Sequence, residues 1–233
     1  LNTGTAWCCD PFPGEGSAPG SAHHGAANYT RGELDSLVFL AVRSGVEVAT
    51  HAIGDAAVAQ ALDVHEHWSA PGSIEHVQLI RREDVPRLAR LGLRASVQPA
   101  HLLDDRDPTE RLWADRAHRC YALRWMQDAG VALALGSDAP VSPLDPWLAM
   151  AAAVHRSADD REPWHPEQSL TVAEALAASV DGQGTVHVGM PGDLIALDDS
   201  PEAPGDTRAQ ADHLRGMRSS LTVIDGRVAH TDL

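Results

Sequence analysis

Cysteine is scarce in this sequence, and its placement does not suit a disulfide framework. The chain has 233 residues and three cysteines, Cys8, Cys9 and Cys120, of which two are adjacent. An odd count that includes a neighbouring pair is a poor basis for the paired bridges of a small secreted domain. We therefore expect a reducing compartment, and specifically the cytoplasm.

Basic residues are also few. Lys and Arg total 18 against 33 Asp and Glu, which gives a formal net charge of −15. Such a charge repels phosphate backbones and anionic lipids, so it argues against a nucleic-acid or membrane partner. The sequence also lacks an apolar run of about 18 residues, the minimum for a membrane-spanning helix, and it lacks a signal-peptide pattern. The expected partner is a small-molecule substrate.

An apolar segment that ends on an acidic residue is the most informative stretch of the chain. Residues 131–135 read Val-Ala-Leu-Ala-Leu, and Gly136 ends this run shortly before Asp138. An unbroken apolar run of this length is typical of a parallel strand that is buried on both faces. The carboxyl ends of such strands carry the chemistry in α/β barrels, which makes Asp138 a candidate catalytic residue.

Two earlier strands end on histidine in the same way. Residues 46–50 precede His51, and residues 73–75 precede His76, one strand–helix unit later. Imidazole and carboxylate groups are common ligands of divalent metals. A metal held by them lowers the pKa of bound water to about 7, and a nearby carboxylate can take the proton. We predict that His51, His76 and Asp138 converge on one metal ion, with Asp138 as proton acceptor.

Helical patterns alternate with these strands. Thr30 and Glu33 form a capping box at the start of one helix, and Gly92 follows the end of another. Alternation of this kind predicts a parallel sheet with right-handed crossovers. About four strand–helix units are visible, whereas a complete barrel has eight. The predicted fold class is α/β, with the C-terminal half of a TIM-type (β/α)8 barrel over residues 1–180.

The last part of the chain has a different character. Residues 192–198 and 220–230 read as strands, and Asp225-Gly226 predicts a tight hairpin turn. These strands do not fit a strand–helix repeat. We predict that residues 181–233 form a small β element of a β-sandwich domain.

A long polar segment suggests a substrate pocket. Residues 102–116 are predicted to be a loop, and long loops in compact domains are often functional. Gln98, His101 and Arg116 are the candidate substrate-binding residues, although an ordinary position on the protein surface explains His101 and Arg116 equally well. Trp113 and Trp147 are better interpreted as packing residues.

Four motifs in the right order resemble the amidohydrolase superfamily, and most closely its branch of N-substituted formamide deformylases. They are His-Ala-Ile-Gly-Asp at 51–55, Ile-Glu-His-Val-Gln at 74–78, Ser-Val-Gln-Pro at 96–99 and Leu-Gly-Ser-Asp-Ala-Pro-Val-Ser-Pro-Leu-Asp-Pro at 135–146. The resemblance covers roughly residues 1–230. Residues 189–198 are similar to the family's return into its small β-sandwich domain.

The resemblance implies a ligand set and a reaction. His51 and His76 match the metal-binding histidines after the fifth and sixth barrel strands. Asp138 matches the metal-binding aspartate and proton shuttle after the eighth. The implied reaction is hydrolysis of a C–N bond in an amide, formamide or cyclic amide by metal-activated water. Zinc is the expected metal, with iron and manganese as alternatives.

The resemblance also implies that the barrel is incomplete in this chain. The family's His-x-His pair of the first strand has no counterpart, and its fourth-strand lysine would fall just before Leu1. We expect the missing N-terminal half to come from a longer polypeptide or from a second chain, for which a homodimer is one form. Two other interpretations stay open: a truncated, non-catalytic remnant of such an enzyme, and a related barrel hydrolase that acts on esters or phosphoesters.

Overall fold

The structure is a computed structural model that describes residues 4–12, 23–180, 182 and 186–232. The helices are α1 (Arg31–Arg43), α2 (Asp55–Trp68), α3 (Val85–Leu91), α4 (His101–Leu112), α5 (Leu123–Asp128), α6 (Pro146–His155), α7 (Val172–Ala177) and α8 (Thr207–Gly216). The strands are β1 (Val48–Ala52), β2 (Gly72–His76), β3 (Arg94–Val97), β4 (Ala132–Leu135), β5 (Leu194–Leu197), β6 (Ser219–Ile224) and β7 (Arg227–Thr231). Within these ranges, no helix combines the length and apolar character that crossing a membrane requires.

The first four strands form a parallel sheet in the order β1-β2-β3-β4. Each is connected to the next through at least one helix, so the predicted alternation of strands and helices is confirmed. The register sets His51 opposite Glu75, and Glu75 opposite Ser96 on the next strand. Because all four strands run the same way, their carboxyl ends lie at one edge of the sheet.

The two faces of this sheet differ in exposure. One face is covered by helices, and its strand residues are buried: Thr50, Ala52, Ile74, Ala95 and Val97. Residues that alternate with these point to the other face, where Ala49, His51, Arg94 and Ala132 are exposed. Parallel sheets are normally covered on both faces. The described residues therefore leave the second face of the sheet uncovered.

Helix ends follow the local sequence signals. The Thr30 hydroxyl accepts from the Glu33 amide at 3.3 Å, and the Glu33 carboxylate accepts from the Thr30 amide at 2.8 Å. Gly92 ends α3 in the left-handed region with φ of 64°, where glycine pays no steric penalty. Both predicted signals are confirmed.

The polar segment 102–116 is not the loop that the sequence predicts, because most of it is helix α4. Leu102 and Thr109 are buried on one side of this helix. Asp105 is half-buried and accepts hydrogen bonds from Gln78 and Tyr121, whereas most other charged side chains of the helix are exposed. The helical period was hidden because few apolar residues mark the buried side. Between α4 and α5 the chain makes a 3-10 turn at Ala117–Arg119, and Tyr121 is left-handed with φ of 49°.

A second apolar cluster joins the N-terminal segment to segments that follow β2, β3 and α6. It consists of Ala6, Cys8, Phe12, Leu79, Leu102, Trp113, Ala117, Cys120, Tyr121 and Trp164. Trp113 is fully buried there, and Trp147 is buried in the main core beneath the sheet. Both tryptophans therefore have the packing role that the sequence indicates.

The tail forms its own antiparallel sheet in the order β5-β6-β7, separate from the parallel sheet. Asp225 and Gly226 make the turn between β6 and β7, both with positive φ, so the predicted hairpin is confirmed. Helix α8 lies within the segment 181–233, yet Ala211 and Leu214 belong to the main core. The division of the chain at residue 181 stays a prediction.

Buried His65 couples stability to pH. One imidazole nitrogen lies 2.9 Å from the Thr50 hydroxyl and the other 3.0 Å from the Ala70 carbonyl oxygen. Burial lowers the pKa of His65 below its usual range. The unfolded chain then binds a proton near pH 6.5 that the folded chain does not bind, so stability falls as pH drops below about 6.5.

We expect His65→Gln to flatten the dependence of the unfolding midpoint on pH between about pH 7 and pH 5. Thermal unfolding followed by circular dichroism at several pH values measures this slope. The control is His67→Gln, an exposed position on the same helix. An unchanged slope in the His65 variant would contradict the assignment.

Candidate metal centre

Three side chains meet at the carboxyl edge of the parallel sheet. Ligand atoms of His76, His101 and Asp138 all lie within 4.8 Å of one another. His76 ends β2, His101 begins α4 directly after β3, and Asp138 follows β4. Because β2, β3 and β4 are neighbours in the sheet, consecutive strands supply the three groups.

His51 lies beside this group on the outer strand β1. Its ring centroid is 4.5 Å from that of His76, and the two rings meet edge to face at 75°. His51 is exposed on the uncovered face of the sheet, and its ligand atoms are outside the group of three. Convergence of His51, His76 and Asp138 on a single ion therefore stays a prediction.

Unusual backbone conformations orient two of these ligands. His76 and Val77 have φ of 71° and 46°, and Asp138 has φ of 55°. Side chains other than glycine rarely adopt this region, and a β-branched residue such as Val77 is a clear outlier. Such strain concentrates at functional sites, where the surrounding structure holds it in place. Side chains alternate between the two faces along a regular strand. The left-handed turn at His76 breaks this alternation and changes the direction of the His76 ring.

The surroundings of His76 favour its neutral form. Burial lowers the pKa of His76, and the nearby His51 adds to this effect, while the Asp138 carboxylate opposes it. A neutral imidazole has a free nitrogen lone pair, which is the form that binds metal. His76 is therefore already in the ligand form at neutral pH.

Gln98 lies beside His76. Its side chain is buried and its amide nitrogen donates to the Ser96 carbonyl oxygen at 3.3 Å. The nearby Gln98 amide partly offsets the lowering of the His76 pKa.

The residues present fit a divalent metal. His101 Nε2 is buried and has no hydrogen-bond partner among the described residues. A buried polar atom without a partner is costly, and a bound cation would satisfy its lone pair. Two imidazoles and one carboxylate are a ligand set typical of zinc, iron or manganese hydrolases.

Arg116 is engaged by other parts of the chain. It is buried, forms an ion pair with Asp115 at 3.0 Å, and donates to the carbonyl oxygens of Asp10 and Pro11 at 3.0 and 3.1 Å. These bonds tie the N-terminal segment to the loop after α4. Its predicted role in substrate binding stays a prediction, since the guanidinium already has three partners.

Two cavities are lined by His51 or by residues close in sequence to His101 and Asp138. One, of about 130 Å³, borders His51 and Tyr29. Another, of about 330 Å³, is lined by Ala100 and Leu103 next to His101, and by Ser142 shortly after Asp138. The larger one has room for part of a small-molecule substrate.

Sequence reasoning missed the residues that anchor α4. The Asp105 carboxylate accepts from Gln78 at 2.8 Å and from the buried Tyr121 hydroxyl at 2.6 Å. These bonds hold the helix that begins with His101. No spacing rule marks them, because the partners lie on separate segments. The position of His101 after β3 was a usable signal, since it matches the positions of His76 and Asp138 after their strands.

Comparison with known proteins identifies the family. The family model described as "Amidohydrolase family" matches residues 1–230. The chain belongs to the amidohydrolase family. The resemblance drawn from the four sequence motifs is thereby confirmed.

Relatives of this amidohydrolase chain include metal-dependent hydrolases. The crystal structure of an uncharacterized metal-dependent hydrolase from Pyrococcus horikoshii is 33% identical with a TM-score of 0.68, and the match covers 77% of this chain and 36% of that one. Protein LONG AFTER FAR-RED 3 of Arabidopsis thaliana is 35% identical over 156 residues, 63% of this chain and 27% of its own length.

A third relative is named for its chemistry. N-substituted formamide deformylase of Arthrobacter pascens is 27% identical over 223 residues, which is 88% of this chain and 40% of that protein. The chain therefore spans less than half the length of each of these three relatives.

Proposed function

We propose that this chain carries part of the active site of a metal-dependent hydrolase that cleaves a C–N bond in an amide, formamide or cyclic amide. The observation that carries the proposal is the meeting of His76 and Asp138, with His51 and His101 beside them, at the carboxyl edge of a parallel sheet. The deformylase relative supports the choice of bond.

The chain's own residues have separate roles in this reaction. A bound divalent cation, with zinc expected and iron or manganese as alternatives, supplies Lewis-acid activation of a water molecule and of the substrate carbonyl. His51 and His76 would hold this cation through their ring nitrogens. Asp138 accepts a proton from the attacking water as the water oxygen bonds to the carbonyl carbon. Asp138 then gives that proton to the leaving nitrogen as the C–N bond breaks.

The wider architecture is proposed to be half of a barrel. Among the described residues, β1 and β4 each pair on one side only, and His51 lies on an uncovered face. Parallel sheets with open edges and an open face are uncommon. The sequence also contains no lysine, so a lysine ligand of the family type has to come from outside these residues. We propose that a longer polypeptide or a second chain supplies the other half, and that β5–β7 belong to a β-sandwich.

The test measures turnover of a panel of substrates by a longer polypeptide that is encoded by the same reading frame and loaded with zinc. The 233-residue chain is assayed in parallel. The panel holds an N-substituted formamide, a cyclic imide, a carboxylic ester and a phosphomonoester. Turnover of the formamide or cyclic imide that disappears with a chelator and returns with zinc is the expected result. Turnover of only the ester or phosphoester would establish the esterase alternative. No turnover by a folded, zinc-loaded protein across a broad amide panel would favour the non-catalytic remnant.

A further inference from the structure

We propose that the cavity beside His51 is a substrate subsite that receives one uncharged substituent, about the size of a small ring. The inference rests on the proposed function, in which His51 holds the catalytic cation. It adds a substrate class to that function, namely neutral amides that carry one small ring. The larger cavity, whose lining includes Arg106 and Arg161, is a different space and has no part in this proposal.

The lining of the cavity beside His51 is uncharged. Among the described residues that border it, none is Asp, Glu, Lys or Arg. Apolar side chains predominate, and Trp7, Leu34, Ile53 and Ala57 are among them. A charged substituent would lose hydration there without meeting a side chain of opposite charge, which is costly. The cavity therefore favours an uncharged group.

The volume of the cavity limits the size of that group. It measures about 130 Å³, whereas an apolar cavity of about 150 Å³ in another protein holds one benzene molecule. A ring of roughly five or six atoms is therefore the largest group that fits. A bulkier substituent would have to displace the walls.

One wall, residues 5–7, is fixed by backbone contacts with the loop after β1. The Trp7 carbonyl oxygen accepts from the Ala57 amide at 3.3 Å. Gly54 passes so close to Trp7 that a Cβ at this position would clash with the Trp7 carbonyl oxygen. The absence of a side chain at Gly54 thus allows this wall to lie against the start of α2.

A buried carboxylate holds the next part of the same segment. Asp55 is completely buried, accepts from the Cys9 amide at 2.8 Å, and lies 3.3 Å from the Arg119 guanidinium. These two partners belong to segments that are distant in sequence. Moving either segment away would leave a buried charge without its partner, which is strongly unfavourable.

The opposite wall, residues 26–29, is tied at both ends. The Ala26 amide donates to the Thr5 carbonyl oxygen at 2.9 Å, and the Gln60 side-chain amide donates to the Tyr29 carbonyl oxygen at 3.2 Å. The cavity is therefore preformed, as small-molecule sites usually are. Fixed walls make it selective for the size of the group that enters.

His51 connects this cavity to the proposed reaction. It is one of the lining residues, and its ring centroid lies 4.5 Å from that of His76. A substrate whose C–N bond lies at a cation held by His51 and His76 has the cavity available for a substituent on one side of that bond.

The first test measures kcat/KM of the zinc-loaded longer form for two series of amides. One series varies the substituent on nitrogen, and the other varies the substituent on the acyl carbon. Each contains a methyl, a cyclopentyl, a naphthyl and a protonated pyrrolidinyl compound. In one series we expect the cyclopentyl compound to exceed the other three by about 10-fold or more. That series identifies which side of the amide enters the cavity.

Leucine substitutions in the lining provide the second test. Ala57→Leu should fill the cavity and lower the ratio of cyclopentyl to methyl kcat/KM by about 10-fold or more. Ala27→Leu should lower the same ratio from the exposed rim, where a larger side chain does not disturb the core. The matched control is Ala59→Leu, half-buried on α2 but outside the lining, which should keep the ratio of the unaltered protein.

A binding measurement separates the subsite from the reaction. Ligand-detected NMR of the zinc-loaded longer form, with cyclopentanol and cyclopentylammonium as probes, does not depend on turnover. We expect cyclopentanol to bind at least about 10-fold more tightly than cyclopentylammonium, and Ala57→Leu to weaken cyclopentanol binding by a similar factor.

Three outcomes would overturn the proposal. They are equal kcat/KM values across the substituents of both series, an unchanged cyclopentyl-to-methyl ratio in both folded leucine variants, and failure of cyclopentanol to bind. Cyclopentanol binding that is lost in Ala57→Leu, in a protein without amide turnover, would support the subsite and count against the proposed reaction.

Discussion

On the proposed function, replacing Asp138 by Asn is expected to lower kcat/KM for an amide substrate by about 10³-fold or more in the metal-loaded longer form that the proposal invokes. The Asn side chain has nearly the same size and shape, so it keeps the packing of the loop after β4. It cannot accept a proton from water at neutral pH, and it binds a cation more weakly than a carboxylate does. The left-handed conformation at Asp138, with φ of 55°, is one that Asn tolerates well, so the fold should be preserved.

The pH profile separates the role of Asp138 from a general loss of structure. If Asp138 is the proton acceptor, the residual activity of the variant should rise with hydroxide concentration, because hydroxide needs no base. Metal content is measured on the same samples, so that a loss of cation is distinguished from a loss of proton transfer. Asp160→Asn, at an exposed loop position, is the control and should keep full activity. An Asp138→Asn enzyme within about 10-fold of the unaltered one would remove Asp138 from proton transfer.

The regular parts of the fold were accessible from the sequence because they depend on local signals. Short segments that end on His51, His76 or Asp138 predict parallel strands whose carboxyl ends lie at one edge, and the sheet pairing confirms the parallel strands. The capping box at Thr30 and the turn at Asp225-Gly226 are likewise short-range features. In each case the residues that form the structure are close together in the chain.

The parts that were missed depend on tertiary contacts. Helix α4 reads as a polar loop, since its buried side consists of few residues such as Leu102 and Thr109. No glycine marks the left-handed turn at His76 and Val77, so the direction of the His76 ring was not predictable. Helix α8 lies in a charged stretch, yet Leu214 reaches the core. Packing overrides local preference at all of these places.

Arg156 is the clearest case of a residue whose role the sequence conceals. It follows α6 and is completely buried. Its guanidinium donates to the carbonyl oxygens of Trp164 at 2.7 Å, Tyr121 at 3.1 Å and Cys120 at 3.5 Å. Burial lowers the pKa of Arg156 to about 10, although the side chain remains charged at neutral pH. One buried cation thus joins α6 to the loop before α5 and to the loop that carries Trp164.

We expect Arg156→Met to destabilise the protein by about 3–5 kcal/mol. Methionine fills most of the volume, but the carbonyl oxygens of Trp164 and Cys120 lose the guanidinium donor, and that of Tyr121 keeps only the Leu123 amide at 2.8 Å. Each unsatisfied buried group costs about 1–3 kcal/mol. Removing a buried charge recovers some desolvation free energy, which offsets part of these losses.

The measurement is the thermal unfolding midpoint, which should fall by roughly 10 °C for a chain of this size. Arg161→Met is the matched control, because Arg161 lies on the same loop but its side chain is 42% exposed and its ion pairs are with Asp107 and Asp159. Exposed ion pairs of this kind contribute at most about 1 kcal/mol. Equal midpoints for the two variants would show that the buried guanidinium does not hold these loops together.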